Sequence, residues 1–61
     1  MCESTVVLRS QGNERVVMEN VVHIEVNGDN LNLTGILGDR ISVKAGLAEL
    51  DLEKHVLYVE E

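Results

Sequence analysis

Apolar residues fall along this chain in short runs separated by turn chemistry. Thr5-Val6-Val7-Leu8-Arg9 and Arg15-Val16-Val17-Met18 flank Gln11-Gly12-Asn13, the pattern of a β-hairpin. Past Glu19-Asn20 a third run alternates, with Val22, Ile24 and Val26 on one face and His23 and Glu25 on the other, as in a half-buried strand. Asn27-Gly28-Asp29 supplies residues that tolerate positive φ, and Leu31 and Leu33 then alternate with Asn32 and Thr34 to predict a second hairpin. Gly35 and Gly38 enclose Ile36-Leu37, after which Ile41, Val43 and Ala45 alternate with Arg40, Ser42 and Lys44.

The stretch 45–52 is ambiguous, because Leu47 and Leu50 fit a helical turn while Leu50 and Leu52 fit a strand. A bend at Gly46 followed by a short strand is the better fit. Glu53-Lys54 turns the chain into His55-Val56-Leu57-Tyr58-Val59, and Glu60-Glu61 adds charge that discourages further pairing. A helix over 16–26 is disfavoured by polar Asn20 and Glu25 in its apolar stripe and by the density of Val and Ile. The pattern predicts an all-β fold over one domain, 1–61: a small barrel or curled antiparallel sheet of six or seven short strands.

Composition sharpens this picture. The hydrophobic share of 44% comes almost wholly from Val, Leu and Ile, with Tyr58 the sole aromatic residue and no proline. A core drawn from 61 residues is small, so a second subunit is expected to help hold the fold. No apolar run approaches the ~20 residues of a membrane-spanning helix, and Met1-Cys2-Glu3-Ser4 does not begin like a secretory signal, so a cytoplasmic protein without a membrane partner is expected. Eleven acidic against five basic residues give a net charge of −6, which repels phosphate backbones; a nucleic-acid partner is not expected.

Catalytic chemistry is not encoded in recognisable form. No Gly-x-Ser-x-Gly elbow surrounds Ser4, Ser10 or Ser42, neither histidine has a nucleophile beside it, and Gly35-Ile36-Leu37-Gly38 lacks the ending of a phosphate loop. The chain is read as a non-enzyme. His23 and Glu25 would project from one face of a strand and present two metal donors, but no third ligand is visible, so a solvated pair is the simpler reading. His55, beside Lys54 at a turn, is likewise read as structural or surface. Cys2 is the sole cysteine, which excludes an internal disulfide. Its thiolate lies within chelate reach of its own backbone amide and of an α-amine, that of Met1 or its own. A thiol packed as a small hydrophobe at the start of the first strand is the competing reading.

Met1-Cys2, the polar spacer before Val6-Val7-Leu8, the Gly28 hairpin, and the ending with Asp51-Leu52, His55 and an aliphatic strand together resemble the CooT family over nearly the whole chain. That resemblance implies a nickel-binding accessory protein for maturation of the nickel–iron–sulfur enzyme carbon monoxide dehydrogenase. It also implies a homodimer of small β barrels of Sm-like shape that binds Ni(II) through the residue matching Cys2. Two such ends meeting at a two-fold axis would offer two sulfurs and two nitrogens, with Met1 contributing nitrogen, in the planar arrangement that suits Ni(II). The expected partners are a second copy, a nickel ion, and a carbon monoxide dehydrogenase or another maturation protein. A protein-interaction module is the second reading. RNA binding ranks below it, since the chain lacks a basic patch and stacking aromatics.

Overall fold

The computed structural model describes residues 3–61. These form six strands and no helix: β1 (Ser4–Ser10), β2 (Asn13–Asn27), β3 (Asn30–Gly35), β4 (Arg40–Lys44), β5 (Gly46–Asp51) and β6 (Val56–Glu60). They make one sheet in the order β4-β3-β2-β1-β6-β5. All neighbours are antiparallel except β1 and β6, which pair in parallel from Thr5 opposite Val56 to Arg9 opposite Glu60.

The turns form where the residue chemistry predicts them. Gln11 and Gly12 both take positive φ, the requirement of the two-residue type I′ turn that matches strand twist between β1 and β2. Gly28, with φ 61°, begins the two-residue turn between β2 and β3. The two strands predicted around Glu19-Asn20 are one long strand, and Asn20, at φ 58°, bends it without ending it. Asn tolerates this left-handed conformation better than a branched residue would. The bend lets the first part of β2 pair with β1 and the second with β3, and Val21 faces Ser4 on one side and Gly35 on the other.

β4 and β5 lie at opposite edges of the sheet although only Ala45 separates them in the chain. A single residue spans no more than ~7 Å, so the sheet has to curl until its two edges meet at that corner. Ala45 is buried there, and β4 and β5 form no ladder with each other. The sheet is therefore curled and open along one side. The core lines its concave face: Val6, Leu8, Met18, Val21, Leu31, Leu33, Leu57 and Val59, with Ala45 at the corner and Val17, Ile24 and Val43 packed against it. Neither edge strand contributes a fully buried residue.

Candidate functional site

β1 begins at the end of the sheet where three features meet. Thr5 N–H donates to the carbonyl of His55 at 2.9 Å, which fixes the turn after β5 against the start of β1. That turn is closed by Lys54 N–H donating to Asp51 Oδ1 at 3.0 Å, and it leaves His55 exposed at φ 57°. The loop between β3 and β4 stands at the same end, tied by Ile36 N–H to the Asn20 carbonyl (2.9 Å) and by Gly35 N–H to the Asp39 carbonyl (2.7 Å). Gly35 packs closely here: a Cβ on it would meet Asp39 Oδ1 at 2.5 Å and Met18 Cε at 2.9 Å, so both side chains would have to shift to admit one. Leu37, at the loop tip, is 91% exposed, and Leu52, in the turn, 72%. Cys2 and Met1, the expected nickel-binding residues, adjoin this end in sequence but lie outside the described residues.

The convex face over the second half of β2 and over β3 and β4 is mostly polar, with Ile41 at its edge. Strand register places His23, Thr34 and Arg40 in one row across the sheet, Glu25, Asn32 and Ser42 in the next, and Asn27, Asn30 and Lys44 in a third. The first two rows line an open groove of about 410 Å³. His23 and Glu25 do share a face, as their spacing predicts, and both are exposed. Among the described residues no three His, Cys, Asp or Glu side chains converge as a metal-binding group. The opposite face of the same strands explains the apolar alternation: Ile24 and Val26 lie opposite Leu33 and Leu31 and point toward the core. Val26 is nevertheless 59% exposed beside the turn that closes the hairpin, and Val22 is exposed beside the irregularity between Val21 and His23.

A third cluster was not legible in the sequence. Arg9 donates through Nε to Glu14 and through a terminal nitrogen to Glu49, both at 3.0 Å, and its guanidinium lies 4.0 Å from the centre of the Tyr58 ring. The Glu49 hydrogen bond, and then that of Glu14, hold the Arg9 pKa above its ordinary value. Arg9 and Glu14 face each other across the β1–β2 turn and can be matched from the hairpin pattern. Glu49 is 40 residues away, and the strand order β1-β6-β5 brings it in. The cluster ties β5 to β1 over the outer surface of β6.

A family described as CO dehydrogenase accessory protein CooT matches residues 1–60. The chain belongs to the CooT family. A crystal structure assigned as CooT from Carboxydothermus hydrogenoformans superposes with a TM-score of 0.89 at 27% identity, over 98% of this chain and 97% of that one. An uncharacterized protein of Methanothermobacter thermautotrophicus is 40% identical over 60 residues, 98% of this chain and 89% of its own length. The curled six-stranded sheet is thus shared with a structure assigned to CooT, and the chain is placed among CO dehydrogenase accessory proteins.

Proposed function

We propose that this CooT family member binds Ni(II) as cargo through Cys2 at the interface of a homodimer. We infer a role in nickel insertion into carbon monoxide dehydrogenase or a related nickel enzyme, in the cytoplasm and without catalytic chemistry of its own. The observation that carries the reading is the sole thiol, Cys2, in a chain matched over 1–60 by a family of CO dehydrogenase accessory proteins. Thiolate sulfur and deprotonated amide or amine nitrogen are donors that suit square-planar Ni(II). One Met1–Cys2 segment offers part of such a set and two offer all of it, which gives one ion per dimer.

The thiol loses its proton on binding, so affinity falls as pH drops below neutrality. Replacing Cys2 by Ser substitutes a hydroxyl of far higher pKa. A nickel titration of the parent beside Cys2→Ser, with sedimentation equilibrium of both, tests the proposal. The parent is expected to bind one nickel per two chains and to show thiolate-to-nickel charge-transfer absorption. The variant is expected to lose both while keeping its β-type circular dichroism. Equal nickel affinity in the two proteins would move the site away from Cys2, with the exposed His23–Glu25 pair next to examine. A strictly monomeric parent, with and without nickel, would remove the shared site.

A further inference from the structure

We propose that the free edge of β5 is a docking strip for an extended segment of a protein partner, one that carries basic residues alternating with apolar ones. The proposal does not depend on the nickel reading.

Among the described residues β5 pairs with β6 on one side only, and its other side faces no strand. An edge of this kind presents unpaired backbone donors and acceptors to any strand that can lie alongside it. Leu47 and Leu50 stand opposite the buried Val59 and Leu57, so both point toward the core side of the sheet. They are nonetheless 57% and 56% exposed, because the sheet stays open between β5 and β4. Leu52 continues the row into the turn. Three leucines within six residues thus lie beside an unpaired backbone, an arrangement that an added strand would cover.

Charge selects the occupant. From Gly46 onward the chain carries Glu49, Asp51, Glu53, Glu60 and Glu61 against Lys54 as its one lysine or arginine. Glu60 faces Gly46 across the β5–β6 pair, so acids flank the strand from one end to the other. Arg9 reaches this side from β1 and is engaged by Glu14 and Glu49, so Asp51 and Glu53 are the acids of this strip left to a partner. A second copy adding its own β5 would set Glu49, Asp51 and Glu53 against their like, which is unfavourable across a strand pair. A basic, apolar-alternating segment satisfies the backbone, the leucines and the acids together.

The test uses the full chain, isotopically labelled, in the Cys2→Ser background, so that loss of nickel binding leaves it unaffected. Capped hexapeptides of alternating Lys-Val and alternating Glu-Val are titrated separately and followed by amide chemical shifts. Lys-Val is expected to shift residues 46–51 and the neighbouring β6 amides, and to bind at least tenfold more tightly than Glu-Val. Leu50→Lys is expected to weaken it by about tenfold. Glu53→Lys, on an exposed turn where the fold has nothing to lose, provides the same test if Leu50→Lys unfolds. No shift with Lys-Val, equal binding of the two peptides, or shifts centred on β4 would overturn the proposal. So would concentration-dependent shifts at 46–51 in the free chain that vanish in Glu53→Lys, since these would make the occupant a second copy bringing its basic β4 edge.

Discussion

The two edges of the sheet, β4 and β5, are adjacent in sequence and equally unpaired among the described residues, yet they are built differently. Along β4 the outward positions carry Arg40 and Lys44, and the core-side residues are better covered, with Val43 half-buried and Ile41 38% exposed. Long basic side chains on an edge are a standard defence against pairing with other chains, because a docking strand has to displace or desolvate them. β5 has no lysine or arginine within it, leaves Leu47 and Leu50 more than half exposed, and is interrupted only by the irregularity between Leu47 and Glu49. The comparison teaches that position in the sheet creates the hazard of an open edge, while side-chain choice decides whether that edge is closed to partners or available to them.

The sharpest way to test the difference is to compare leucines of the two environments. Leu33, fully buried in β3 between Ile24 and Ile41, is expected to cost about 2–5 kcal/mol when replaced by Ala. A domain of this size is stable by roughly 3–5 kcal/mol, so Leu33→Ala should be largely unfolded at room temperature. Leu50→Ala, on the exposed edge, should cost no more than about 1 kcal/mol, since less than half of its side chain is removed from water. Thermal melts followed by circular dichroism decide this; a comparable loss for both leucines would make β5 part of the core and erase the contrast.

A change of intermediate size is expected from removing the basic guard of β4. The double variant Arg40→Thr, Lys44→Val keeps strand propensity and should leave the melt nearly unchanged, but it exposes a flat edge without charge. Sedimentation velocity is expected to show species larger than those of the parent, increasing with concentration. If the double variant sediments as the parent does, the basic residues are not what protects this edge.

The smallest effect concerns the tie between β5 and the rest of the sheet. Arg9→Ala removes the ion pairs to Glu14 and Glu49 and the contact with Tyr58, all at the surface. A slight fall in Tm is expected, and the gap from the parent should narrow in high salt, because exposed pairs are screened. Since the guanidinium pKa is raised in the folded chain, its contribution persists through neutral pH and is lost only in strong alkali, as pH rises through that pKa. A gap that is independent of salt would point to the stacking on Tyr58 as the main contribution.

The sequence by itself determined the strands, most of the turns and the family. Alternation at Ile24–Val26, Leu31–Leu33 and Ile41–Val43 is a local property of the chain, as is the demand for positive φ met at Gly12 and Gly28, so both can be read without tertiary information. Cys2 could be singled out as a candidate for the same reason, since it is the sole thiol and has backbone donors next to it. Only the tertiary structure decided that 15–18 and 22–26 are one bent strand, that β1 and β6 run parallel, and that Arg9 meets Glu49. It also decided which apolar residues stay exposed. Leu33 and Leu50 are alike in type and both sit within strands, yet one is central and the other lies on an open edge. Strand order and curl set that difference through pairings between residues far apart in the chain, and a pattern with a period of two carries no record of which strand will be the last in the sheet.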